Sequence, residues 1–290
     1  MTVLASVDDD QKAAMRAQWD AAAAGWDAHR DVIHAWLRGP TEAMLSMAGV
    51  VPGARVLDVA AGAGDQTLML AEHVGRSGYV LATDISAAIL AKAHRNVARA
   101  GHRHVETRVA DGESLGVPEA SFDAAICRLG LMFFADPLAG LAEMRRALRP
   151  GGGLCTMVFA GPDTNPCLTI LMSSARRHAG LPPADPFQQG GLMSLGRRGR
   201  MDELFHRAGF CDVATTAVDA AFHLPSVDAY LDFVRQSAAP VIAVLAGLGP
   251  AARAAAWDDI RERLLVFETA DGWTGPNELL LTAGRHCEQT

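Results

Sequence analysis

"VLDVAAGAGDQTL", Val56 to Leu68, decides how this chain is read. An apolar run ends in an acid, breaks into small residues and then turns helical. A strand that delivers the chain into a glycine-rich turn, and at once into a helix, presents backbone N–H groups and lets a ligand approach closely. A dinucleotide-binding turn carries three glycines in the order G-x-G-x-x-G, whereas here Gly62 and Gly64 are followed by Thr67. Asp58, closing the strand, opposes a pyrophosphate, which needs amide donors and positive potential. The turn suits a nucleotide-like ligand that carries positive charge.

Composition narrows the choice further. At 290 residues, 50% of them hydrophobic, the chain has ample material for one large domain with an appended region, or for two small ones. A formal charge of −7 argues against a nucleic-acid partner, whose affinity comes from a basic face. The opening "MTVLASVDDDQK" holds an acidic cluster rather than a basic region leading into a long apolar run, so no signal peptide is visible and a cytoplasmic protein is expected. The apolar segment "VIAVLAGL", which starts at Val241 between Pro240 and Pro250, is too short to span a bilayer and reads as a buried or lid helix. The five cysteines, Cys127, Cys155, Cys167, Cys211 and Cys287, form no C-x-x-C pair. That pattern speaks against a metal site and against a disulfide framework, and reduced, ordinary cysteines are expected.

Strand-like and helix-like patterns alternate as in a parallel sheet covered on both faces. The first strand is Arg55–Ala60. A helix ending near Gly75 leads to "YVLATD", a second buried strand closed by Asp84, and Ser86 is placed to cap a helix that runs to Gly101 with Ile89, Ala93 and Val97 as its inner stripe. "HVETRV" leads to Asp111 and Gly112, "FDAAICR" ends at Arg128, and a helix through "LAEMRRALRPGG" turns into "GLCTMVFA". Five repeats of this kind occupy the chain up to about residue 160. Further strands are expected at Asp212–Val218 and Asn277–Gly284, with helices around Asp202–Arg207, Val227–Arg235 and Ala251–Phe267 between or beside them. The fold class is therefore α/β: a Rossmann-like, doubly wound, mostly parallel seven-stranded sheet with a helical cap. The expected divisions are a helical cap over 1–45, a nucleotide-binding core over 46–160, a substrate-facing insertion over 161–276, and the last strand with its tail over 277–290.

The other strand ends constrain the ligand. Asp84 stands twenty residues past Gly64, at the end of the neighbouring strand, from which a carboxylate can accept hydrogen bonds from both ribose hydroxyls. Asp111 can accept from an exocyclic amine while Gly112 lets an adenine ring lie flat. Three acids at adjacent strand ends, with no lysine or arginine in the glycine loop, suit a cationic adenosine derivative.

At this point the chain resembles the class I S-adenosylmethionine-dependent methyltransferases, in the branch similar to the ubiquinone/menaquinone C-methyltransferases. "VLDVAAGAGD" resembles the first motif of that family, "LATDIS" the second, "VADGESL" the third, and "FDAAICRLGLMFFADP" with "EMRRALRPGG" the fourth and fifth. The usual first motif has a glycine where this chain has Ala60. The resemblance implies S-adenosyl-L-methionine as cofactor and S-adenosyl-L-homocysteine as product. It places Asp58, Ala60, Gly62 and Gly64 around the methionine part, Asp84 on the ribose, and Ile85, Asp111 and Gly112 about the adenine. Cys127 and Arg128 fall beside the sulfonium, and Trp26 on a helix that closes over the site. No metal is implied.

Methyl transfer from a sulfonium needs in-line positioning and a desolvated pocket, and a general base only if the acceptor must lose a proton. His29, His34, His178, His206 and His223 are candidates for that role, and the sequence singles out none of them. "RLGLMFF" from Arg128, with Met172, Met193 and Val241–Leu248, offers adaptable apolar walls, pointing to a small hydrophobic or aromatic acceptor methylated on O, C or N. "GRRGR", Gly196–Arg200, is a charge run that can meet an anionic group or simply face solvent. A quinol ring is the acceptor that kinship suggests. Two other classes share features with this reading. A nicotinamide-dependent oxidoreductase would share the sheet and Asp84, but Asp58 and the absent third glycine oppose it; a non-catalytic cofactor-binding scaffold would keep every motif.

Overall fold

In the computed structural model, residues 7–287 are described. The glycine-rich stretch sits at the centre of a seven-stranded sheet built from β1 (Arg55–Val59), β2 (Tyr79–Asp84), β3 (Val105–Val109), β4 (Phe122–Arg128), β5 (Leu148–Phe159), β6 (Phe210–Asp219) and the C-terminal β10 (Glu278–His286). The spatial order is β3-β2-β1-β4-β5-β10-β6. The first five strands are parallel, and β10 runs antiparallel to both its neighbours. The order reverses beside β1, so the carboxyl ends of β1 and β4 flank the crevice where open α/β sheets bind ligands. Because β1 and β4 are covered on both faces, their sequences read as nearly continuous apolar runs: Val56, Leu57, Ala124, Ala125 and Ile126 have no measurable exposure.

Helices α3 (Asp65–Val74), α4 (Ala87–Ala100) and α5 (Pro137–Ala147) follow β1, β2 and β4. Ser86 caps α4 by accepting from the backbone N–H of Ile89 at 3.2 Å, and Gly101 ends it in the left-handed conformation. Ile89, Ala93 and Val97 are buried. The strands expected beyond residue 160 are both present, each displaced by one or two residues and longer than expected.

The N-terminal segment forms two helices, α1 (Val7–Ala28) and α2 (Arg30–Met47), and they do different work. α2 packs on the sheet through β5 and β10, whereas α1 lies across α4 and the later helices α8 (Val227–Ser237) and α9 (Ala239–Leu245). Gly25 makes the α1–α8 crossing possible, since a Cβ there would stand 1.9 Å from the carbonyl oxygen of Gln236. Gly25→Ala must push the two helices apart. The expected result is faster limited proteolysis within α1 with the sheet still folded, read by the rate of first cleavage and by circular dichroism; unchanged cleavage would contradict this packing.

The insertion also carries α6 (Pro166–His178), α7 (Arg200–Arg207) and α10 (Pro250–Leu264). A three-stranded sheet was not anticipated from the sequence: β7 (Phe222–Leu224), β8 (Glu268–Thr269) and β9 (Gly272–Gly275), in the order β7-β9-β8. Its strands are two to four residues long, too short for alternation to stand out. The expectation of five reduced cysteines is also corrected. Cys127, Cys155 and Cys167 are free and buried, but Cys211 at the start of β6 and Cys287 after β10 are joined by a disulfide, their Cα atoms 5.7 Å apart. They are 76 residues apart in sequence, and only the antiparallel pairing of β6 with β10 brings them together.

Candidate active site

The first motif bends sharply after β1. Ala60 has φ of 58° and Gly62 has φ of 58°, so the chain turns through two left-handed residues. A left-handed alanine carries a steric cost of about 1–2 kcal/mol. Room for its methyl group comes from Gly130, where an added Cβ would lie 2.3 Å from that of Ala60. An alanine is accommodated at this position because the facing residue has no side chain. Gly64, the N-cap of α3, allows a different contact: a Cβ would meet Ala93 of α4 at 2.9 Å.

Above this turn lies an open cleft whose empty space, part of it continuous with solvent, is about 1090 Å³. Of the residues read as cofactor-binding, Trp26, Ala60, Gly62, Asp84, Ile85, Asp111, Gly112 and Arg128 line it. Asp58, Gly64 and Cys127 do not. Asp58 is fully buried and both its oxygens are taken, one by Thr67 Oγ1 at 2.6 Å and one by Gln66 Nε2 at 2.9 Å. It braces the start of α3 from below. Cys127 has no exposure, lies beneath Gly130 and has a thiol pushed by burial up to about 12, so it is an inert core residue.

Asp84 is held ready by the loop itself. One oxygen accepts the backbone N–H of Gly62 at 3.0 Å and the other that of Ser86 at 2.9 Å. Burial raises the carboxyl to about 6 despite these bonds, and Asp58 is likewise raised by burial to about 6. For both acids the folded value lies above the unfolded one near 4, so each ionised carboxylate opposes folding above pH 6 and is progressively relieved as pH falls towards 4. Stability of the ligand-free protein is therefore expected to rise by on the order of 2 kcal/mol between pH 7 and pH 5. Urea unfolding at the two pH values checks this, and a flat or falling stability would contradict it. Surface acids held low by arginine partners, such as Glu143 beside Arg146, weaken the fold only at lower pH.

Sequence reasoning missed the charged wall between α2, α3 and β4. Arg128 is 6% exposed; its Nη1 stands 2.8 Å from Asp65 Oδ2 and donates to Thr41 Oγ1 at 2.8 Å. Asp65 Oδ1 in turn bonds His34 Nδ1 at 2.9 Å. Asp65 opens α3, where the helix dipole favours a carboxylate, and both Asp65 and Arg128 face the cavity. Lys12 was also missed. It reaches down from α1 to Asp111 Oδ2 at 2.7 Å and Glu113 Oε2 at 2.6 Å, fastening that helix over the third motif. The signal available in sequence was position alone, an acid directly after Gly64 and a lysine inside a long polar helix.

A second cavity of about 610 Å³ adjoins the first, and Trp19, Trp26, Leu129 and Phe133 belong to the walls of both. Its remaining walls come from Trp36, Phe159, Phe222, Tyr230 and Phe233, together with aliphatic residues of α6, α8 and α9. Of the apolar walls expected there, Leu129, Met132 and Phe133 of the segment after Arg128 and Val241 line it, while Met172 and Met193 do not; Leu192 lines it without having been expected. Among the described residues, no histidine and no member of the Gly196–Arg200 run lines either cavity. The same residues contain no group of three or more side chains able to hold a metal ion and no helix long and apolar enough to cross a membrane.

With this geometry in hand, comparison with known proteins is specific. The model of the ubiE/COQ5 methyltransferase family matches residues 18–172, more than half of the 290-residue chain. The ubiquinone/menaquinone biosynthesis C-methyltransferase UbiE of Hahella chejuensis is 38% identical over 126 residues, covering 43% of this chain and 50% of that protein. The protein of the same name from Bordetella avium is 35% identical over 157 residues, covering 53% and 61%. The chain thus matches about half the length of these relatives. Among solved structures, YcgJ of Bacillus subtilis has the same fold, with a TM-score of 0.59 and 18% identity over 87% of this chain and 100% of that one.

Proposed function

The chain belongs to the ubiE/COQ5 methyltransferase family, and we propose that it moves a methyl group from S-adenosyl-L-methionine to a small, flat, apolar molecule. The observation that carries this reading is the pair of adjoining cavities, one bearing the carboxylates and the guanidinium at the ends of β2 and β4, the other lined by eight aromatic side chains among aliphatic ones. When bound, S-adenosylmethionine supplies a methyl group on positively charged sulfur.

The residues present fit that molecule. Asp84 is buried, oriented by two backbone N–H groups, and free to accept from a ribose. Ile85 and Ile89 offer apolar faces to a purine, and Gly112 must remain glycine because a Cβ would collide with Phe134 at 2.2 Å. Asp65 and Arg128 together present one carboxylate and one guanidinium, the charge complement of an amino-acid zwitterion. Trp19, Trp26, Leu129 and Phe133 then hold donor and acceptor side by side while excluding water. Orientation of this kind supplies up to about 7–11 kcal/mol of a barrier.

Neither a carboxylate nor a histidine lines the second cavity among the described residues, so the acceptor atom must be nucleophilic without a strong base beside it. A ring carbon of an electron-rich phenol or hydroquinone that enters as its phenolate meets that condition, the methylated dienone so formed losing its ring proton to water on release, and the names of the curated relatives favour it. The test is incubation with methyl-tritiated S-adenosylmethionine and a panel of phenols, hydroquinones and arylamines, followed by organic extraction. Label in the extract is the expected result, and proton NMR of the product assigns the methylated atom. No label with any member of the panel, from protein shown to bind S-adenosylhomocysteine, would leave the scaffold reading in force.

A further inference from the structure

We infer that Tyr230 orients the acceptor, by offering its hydroxyl as the polar handle of an otherwise apolar cavity. This rests on the second cavity being the acceptor site. Polar side chains are few there, and the indole N–H of Trp19 stands at the wall shared with the first cavity rather than on the far side with Tyr230. Trp26 Nε1 donates to the carbonyl of Ser237 at 2.9 Å, Trp36 Nε1 donates to that of Ala220 at 2.7 Å, and the Ser237 hydroxyl is bonded to the carbonyl of Phe233. The Tyr230 hydroxyl makes no such bond among the described residues, although the residue is 1% exposed and lines the cavity. A hydroxyl left unbonded by the protein on an apolar wall can give and accept one hydrogen bond with a ligand in place of water.

The surroundings of Tyr230 fix its direction. It lies on α8, one turn past the Ser226 cap. Its ring stacks on Trp273 with centroids 4.3 Å apart and an interplanar angle of 21°, and meets Phe222 edge-on at 5.3 Å. Trp273 is itself pinned, donating from Nε1 to the carbonyl of Leu264 at 2.9 Å. The small sheet that carries Phe222 and Trp273 thus serves as the backing of this one side chain. A rigid donor–acceptor on an apolar wall orients a ligand at little entropic cost. It selects rings that bear a hydroxyl or carbonyl. Tyr230 lies beyond the segment matched by the family model, residues 18–172, so this selection is a property of the insertion.

The experiment is titration of 1-naphthol, 1-methylnaphthalene and naphthalene into the protein saturated with S-adenosylhomocysteine, followed by quenching of tryptophan fluorescence. Wild-type protein is expected to bind 1-naphthol more tightly than the equally large and more hydrophobic 1-methylnaphthalene. Tyr230→Phe should weaken 1-naphthol about tenfold, the effect of one hydrogen bond, and leave naphthalene and S-adenosylhomocysteine within twofold. Retained naphthalene affinity shows that the cavity is intact. The inference is overturned if Tyr230→Phe binds 1-naphthol as the wild type does, if the wild type prefers 1-methylnaphthalene, or if none of the three probes binds. Failure of S-adenosylhomocysteine to bind is a separate result: it overturns the methyltransferase reading, and the same probes titrated without it still decide the role of Tyr230.

Discussion

Asp84→Ala is expected to weaken S-adenosylhomocysteine binding at least a hundredfold, or about 3 kcal/mol. Two contributions add to this. A carboxylate that accepts hydrogen bonds from ligand hydroxyls contributes about 1.5–3 kcal/mol for each charged bond. The same side chain holds the Gly62 N–H at 3.0 Å, so its loss also releases the turn that approaches the ligand. Asp84→Asn separates this from simple unfolding. It removes a buried charge that burial has already made unfavourable, with the carboxyl raised to about 6, and the ligand-free melting temperature should stay level or rise while affinity falls. Calorimetric titration beside a thermal melt reads both quantities. Affinity within threefold of wild type in both variants would remove Asp84 from the site.

The second large effect is on folding. Arg128→Ala leaves Asp65, 8% exposed, at the wall of the first cavity with only His34 as partner. Breaking a buried ion pair from one side costs about 3–5 kcal/mol, whereas replacing both members by apolar residues of similar volume is often neutral. Urea unfolding should show the full loss for Arg128→Ala and recovery of most of it in the double variant Arg128→Met with Asp65→Leu. The double variant should fold well and bind S-adenosylhomocysteine poorly. A single variant within 1 kcal/mol of wild type would mean that solvent reaches the pair freely.

Much of the fold was legible because its signals are local. Strands buried on both faces appear as unbroken apolar runs, as in Val56–Leu57 and Ala124–Ile126, and Ser86 and Gly101 bracket α4 by side-chain and backbone chemistry that their types announce. The lining of the first cavity was legible where an acid or a glycine follows a strand, as with Asp84, Asp111 and Gly112. Asp58 shows the limit of that reasoning. An acid closing a strand has the same appearance in sequence whether it meets a ligand or receives Thr67 and Gln66 from the following helix, and only packing distinguishes the two.

What could not be read depends on long-range closure. The Lys12 fastening joins residues 99 positions apart, the small sheet pairs residues near 222 with residues near 274, and Cys211 finds Cys287 only because β10 runs back between β5 and β6. The acceptor cavity is made almost entirely in this way. Trp19 and Trp26 come from α1, Phe133 from the turn after β4, and Tyr230 and Phe233 from α8. Aromatic residues scattered over two hundred positions carry no period that a sequence reading can detect.

The central claim is that the cavity above the glycine turn takes a cationic sulfur nucleoside rather than a dinucleotide. Isothermal titration of wild-type protein with S-adenosylmethionine, S-adenosylhomocysteine and NAD tests it most directly. Saturable binding of one sulfur nucleoside per chain with no heat from NAD is the result this account predicts. Binding of NAD with none of either sulfur nucleoside would contradict it, and with it the reading of Asp84, the Asp65–Arg128 pair and the glycine turn.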